Sequence, residues 1–118
     1  MLSDLQEKGY AVVKDVYGDT ECAELEQGFW NTFGRLAGVL KNDPKTWKKI
    51  YEFFPNHGML FQHWKLGHQQ QIWNARQHKN VHKVFKTIWG TKDLTVSFDG
   101  CSFGLKPEVT KRGWQRNG

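Results

Sequence analysis

The stretch Leu94-Thr95-Val96-Ser97-Phe98-Asp99-Gly100-Cys101-Ser102-Phe103 decides how this chain is read. Leu94, Val96 and Phe98 alternate with Thr95 and Ser97, the two-residue period of a strand with one buried face. Asp99-Gly100 is a turn or bulge signal. Cys101 to Leu105 can resume as a strand, which Lys106-Pro107 closes. Upstream the pattern is almost entirely helical, so helices come first and a sheet begins late. That order predicts an α+β fold whose first strands leave unpaired edges.

Working back from that stretch, Asn80 to Gly90 predicts a helix. Val81, Val84, Phe85 and Ile88 share one face, and Gly90 terminates it. Gln69 to Gln77 is helical in composition. Residues 55–68 are broken by Pro55, Gly58 and Gly67 and predict a loop. Asp43 as cap and Pro44 at the first helical position start a helix with Trp47, Ile50, Tyr51 and Phe54 on one face. The clearest helix follows Gly18, with Asp19 as cap. Its apolar stripe is Cys22, Leu25, Phe29, Phe33, Leu36 and Leu40. The chain opens with a short helix, Ser3 as cap with Gln6 at capping-box spacing, ended by Gly9. Tyr10 to Val16 is β-rich and short enough for a strand.

The chain has 118 residues, enough for one domain: residues 1–90 mainly helical, residues 91–118 the first strands and a loop. Six tryptophans and 14% aromatic residues argue against disorder. No apolar run is long enough to span a bilayer, and the start, with its acids and no apolar core, is not a secretory signal. An intracellular, cytoplasmic protein without a membrane partner is expected, with Cys22 and Cys101 as free thiols. Net charge is +5, unevenly spread. Residues 1–30 hold seven acids and two lysines; the remainder holds fifteen bases and five acids. A basic remainder fits either an anionic partner or a solvated surface.

Five histidines invite a metal reading: His57, His63, His68, His78 and His82. His78 and His82 stand four apart on a helix, but Lys79, Lys83, Lys86 and Arg76 crowd them and oppose a dication. No metal ligand and no catalytic residue is therefore assigned, and no phosphate-cradling glycine loop is present. Bases and tryptophans interleave at Trp47, Lys48, Lys49, Trp64, Lys65, Arg76, Lys79 and Lys83. That pattern suits a small basic nucleic-acid-binding or protein-interaction module, although Trp47 and Trp73 also fit helical core faces. Weak non-specific nucleic-acid binding is the most this reading predicts.

Residues 66–103 resemble the phytanoyl-CoA dioxygenase-like proteins, non-haem iron, 2-oxoglutarate-dependent oxygenases. The resemblance rests on Gly67, Trp73, Arg76, Val81, Val84, Phe85, Ile88, Trp89, Gly90, Thr91, Asp93, Leu94, Val96, Ser97, Phe98, Asp99 and Gly100. The opening, Leu5 to Leu25, is similar to that group's opening as well. The resemblance implies a double-stranded β-helix (jelly roll), Fe(II) and 2-oxoglutarate as cofactors, and hydroxylation of a small-molecule substrate. Such an enzyme needs two His and one carboxylate on iron, the first two as His-x-Asp. Here the residues two beyond each histidine are Met59, Lys65, Gln70, Asn80 and Val84. The expectation is an N-terminal portion ending before that motif, with Gly113 to Gly118 as the loop ahead of it. Such a portion is itself inactive and binds neither cofactor. Ser97, Asp99 and Ser102 are expected to form one wall of the cofactor and substrate pocket, or to be ordinary polar residues of a turn and strand end.

Overall fold

The computed structural model describes residues 1–53, 60–97 and 99–104. In chain order these form α1 (Leu2–Lys8), α2 (Asp19–Ala37), a 3-10 helix (Pro44–Phe53), β1 (Leu60–Phe61), a 3-10 turn (Leu66–His68), α3 (Gln70–Arg76), α4 (Lys79–Trp89) and β2 (Cys101–Ser102). The architecture is α+β: helices packed on one another beside a two-stranded antiparallel sheet. Leu60 pairs with Ser102 and Phe61 with Cys101.

The helix ends follow the glycines. Gly9, Gly38 and Gly90 each take the left-handed conformation after α1, α2 and α4, and each amide bonds back into the last turn. The starts differ from expectation. Ser3 does not cap α1: its hydroxyl donates to Glu7 one turn on, at 2.9 Å, and Met1 is the cap. Gly18, not Asp19, caps α2, and the Glu21 carboxylate accepts the Gly18 amide at 2.8 Å. Asp19 lies inside the first turn, where a negative charge suits the helix dipole.

The segment from Asp43 is not an α-helix. Pro44–Phe53 winds as a 3-10 helix, with three residues per turn. Trp47, Ile50 and Phe53 stand three apart, so that winding stacks them on one side. Ile50 and Phe53 are buried, and Trp47 packs against the core. Packing thus favours the tighter coil. Phe54 and residues 55–59 lie outside the described residues, while Leu60–Phe61, within the expected loop, is β1.

Two expected strands are not ladder strands. Residues 10–16 are irregular, with Asp15 at φ 57° and Tyr10, Val12 and Val13 exposed. Strand propensity alone cannot hold an extended segment without a ladder partner. Its far end is tied instead: Tyr17 donates to the Ala75 carbonyl at 2.8 Å, and Asn80 Nδ2 to the Val16 carbonyl at 2.9 Å. Residues 94–97 also lack strand pairing among the described residues, yet Leu94 and Val96 are half-buried while Thr95 and Ser97 are exposed. The alternation survives without the ladder. Phe98, Leu105, Lys106-Pro107 and Gly113 to Gly118 lie outside the described residues.

The core is aromatic and centres on Phe33, fully buried in α2. Its ring meets Phe53, Phe61 and Phe103 at 5.6, 5.4 and 5.0 Å, the spacing of offset and edge-to-face pairs. Trp30 adds a T-shaped contact to Phe103 at 5.1 Å and packs on Trp47. Of the stripe expected on α2, only Phe33 is fully buried; Cys22, Leu36 and Leu40 are exposed. The buried face is instead set by Trp30, Thr32 and Phe33. Helix α3 lies against α2 through a buried bond from Gln71 Nε2 to Thr32 Oγ1, 2.9 Å. Gly28 permits the approach, since a Cβ there would sit 2.7 Å from that of Gln71. No described helix is long and apolar enough to cross a membrane.

Candidate functional site: the groove along α4

Arg76 ends α3 and is its only charged side chain. From there its guanidinium donates to the Ser97 carbonyl at 3.2 Å and to the Gly100 carbonyl at 2.6 Å. A planar fork with several donors suits two carbonyls of one turn, which a lysine could not hold in the same way. The turn is closed further by Asp99, whose carboxylate accepts the Gly100 amide at 2.6 Å and lies 3.5 Å from Gln62 Nε2. These contacts, the Gly100 amide first, hold the Asp99 carboxyl below its ordinary value.

The turn sits tightly on its neighbours. A Cβ on Gly67 would collide with the Asp99 carbonyl oxygen, and one on Gly100 with the Phe61 carbonyl oxygen. Only glycine allows both approaches. The next residue, Cys101, is half-buried, and burial pushes its thiol up to about 11.

With Ser97 and Gly100 tied to Arg76 of α3, residues 94–97 lie across from α4, and a groove of about 650 Å³ opens between them. Val81, Phe85 and Trp89 of α4 face Leu94 and Val96 across it, with Arg76, Lys79 and His82 among its polar lining. Phe85 is 48% and Trp89 69% exposed, so two aromatic rings of one helix remain open to solvent. His82 Nε2 lies 3.1 Å from the Lys92 carbonyl, which fixes that ring. No Asp or Glu is among the described residues that line the groove.

The three residues expected in a pocket wall sit in different surroundings. Ser97 lines the groove. Asp99 is engaged in its own turn, and Ser102 is exposed in β2 opposite Leu60. The two helical histidines separate as well. His78 caps α4, its Nδ1 accepting the Asn80 amide at 3.3 Å, while its Nε2 meets Glu21 at 2.9 Å and its ring lies 4.8 Å from Tyr17. Among the described residues no three His, Cys, Asp or Glu side chains stand close enough to hold a metal ion. Of the aromatic-basic set, Trp47 donates its indole to the Leu40 carbonyl at 2.8 Å and stacks on Trp30, whereas Trp64 is exposed.

Sequence reading named Trp89 only within the resemblance and gave it no place in a site, since it falls beside the stripe of Val81, Val84 and Ile88 rather than on it. The signal was available: Phe85 and Trp89 are one turn apart, and Lys79 lies at the other end of the helix. No family model, no curated protein and no solved structure matches the chain.

Proposed function

We propose that this chain is the supporting N-terminal portion of a non-haem Fe(II)- and 2-oxoglutarate-dependent oxygenase, similar to the phytanoyl-CoA dioxygenase-like proteins, which hydroxylates a small molecule. The observation that carries the reading is a convergence. Gly67, Arg76, Ser97, Asp99 and Gly100, five of the residues on which the resemblance rests, meet at one turn. Residues scattered over more than thirty positions thus form one structural unit.

In this reading β1 and β2 belong to a double-stranded β-helix, and residues 94–97 have the alternation of a strand awaiting a partner. The iron ligands and the base that grips 2-oxoglutarate are supplied by sequence other than residues 1–118. The part played by this chain is positional: the Arg76 clamp fixes the turn, and Ser97, with Asp99 and Ser102 nearby in sequence, forms the pocket wall. The coding sequence after Gly118 tests the proposal. The expected result is a continuing frame with His-x-Asp within a few codons and a second His, followed by a basic residue, much later. A stop codon directly after Gly118 overturns it.

A further inference from the structure

The α4 groove is polarised along its length. Its one end has the Arg76 guanidinium, the Lys79 ammonium and the positive end of the α4 dipole. Its other end has the exposed rings of Phe85 and Trp89. At 1.5 Å per residue, Lys79 stands roughly 9 Å from Phe85 and roughly 15 Å from Trp89 along the axis. Lys79 acts on Glu21, whose carboxyl it helps to hold low. Glu21 lies in a separate small cleft with His78 and Tyr17, and contributes nothing to the groove lining.

We propose that this groove is a nucleotide site, with a nucleobase against Phe85 and Trp89 and the phosphate beside Arg76 and Lys79. An aromatic ring offers a face to any base, and stacking on it tolerates base identity. A described lining without carboxylates and with two cations selects an anion over a neutral or cationic ligand. Val81, Leu94 and Val96 form the apolar sides that hold a flat ring edge-on to solvent. About 650 Å³ accommodates one nucleotide with room for the sugar. The ligand chemistry is shared by a free mononucleotide and by one unit of a single strand. The proposal does not depend on the oxygenase reading, because every residue it uses is present in the described chain.

The test titrates the full chain with AMP, adenosine, inorganic phosphate and a short single-stranded deoxyadenylate, by calorimetry and ligand-observed NMR, at about 0.15 M salt. AMP is expected to bind saturably, with adenosine and phosphate each about tenfold weaker or worse. Trp89→Ala and Lys79→Gln should each weaken AMP by about fivefold or more, with helix content by circular dichroism unchanged, since both side chains are exposed. A strand no tighter than AMP identifies the free nucleotide as the ligand. A strand about tenfold tighter, with affinity falling steeply with salt, identifies a single strand. The proposal is overturned if neither AMP nor the strand binds saturably, or if neither variant weakens AMP. It is equally overturned if inorganic phosphate binds as well as AMP, which describes a plain anion patch.

Discussion

Arg76 and Gly100, 24 residues apart, are joined by a 2.6 Å hydrogen bond from the guanidinium to a half-buried carbonyl. A second arm of the same side chain holds Ser97. Replacing Arg76 by Leu keeps bulk and removes both donors. Leaving a partly buried carbonyl unpaired and losing charged hydrogen bonds should cost about 1.5–3 kcal/mol. Urea unfolding is the measurement, and Arg76→Lys should recover less than half of the loss, because a single ammonium cannot span two carbonyls. Equal stability of the three proteins would remove the clamp from the account.

The turn that Arg76 holds also sets a contrast between two glycines. Gly67→Ala drives a methyl into the Asp99 backbone, whereas a Cβ at Gly90 meets nothing within 4 Å. Gly90→Ala therefore incurs only the left-handed strain of φ 69°, about 1–2 kcal/mol. Gly67→Ala should lower the melting temperature further, and should weaken amide protection at Cys101 and Ser102 while Gly90→Ala leaves it in place. The reverse ranking would mean that residues 66–68 and 99–100 are not in contact in solution.

A pH dependence follows from Glu21. The Gly18 amide, then the His78 ring, holds its carboxyl below the ordinary value of 4.5. A depressed folded-state pKa means that the unfolded chain binds the proton more readily, so stability is present above that ordinary value and is lost as pH falls through the lowered one. Asp99 acts in the same direction. Thermal melts from neutral pH down to about 3 should show a decline that Glu21→Gln makes shallower. An unaltered slope would show that the α2 cap carries no proton-linked stability.

Thiol chemistry should separate the two cysteines. Cys22 is exposed, while Cys101 is half-buried with its thiol raised to about 11. Since the thiolate is the reactive form, only on the order of a thousandth of Cys101 is ionised at pH 8. Iodoacetamide at that pH should label Cys22 first and Cys101 much later, as peptide mapping reads directly. The sign for stability also follows: a raised thiol pKa favours the folded state increasingly less as pH climbs from 9.0 toward 11. Equal labelling rates would show β2 to be open.

What was legible in the sequence was local. Gly9 and Gly90 stop helices because a left-handed residue costs glycine nothing, and that is visible without a fold. Trp30 was not placed in the core, because its burial depends on Trp47 and Phe103, far away in the chain. The winding of Pro44–Phe53 was hidden for the same reason: the pair Trp47 and Ile50 suits a three-residue and a 3.6-residue period alike, and a partner surface selects between them. Tyr10 to Val16 has strand composition, but pairing is a property of two segments. In the groove, Ser97 had been named, though as one wall of the pocket that the resemblance implies. Trp89 was given no place in a site, because reading a helix for its core stripe discards the aromatic next to it.

The ring cluster around Phe33 has a kinetic implication. Phe53, Phe61 and Phe103 reach it across 20, 28 and 70 residues of chain. Loop closure grows only with the logarithm of length, so the longest of these closures costs about 1 kcal/mol more than the shortest. The Phe103 contact, the longest closure of the three, is therefore expected to form after the shorter ones. β2, which begins two residues before Phe103, would then pair with β1 at the same late step.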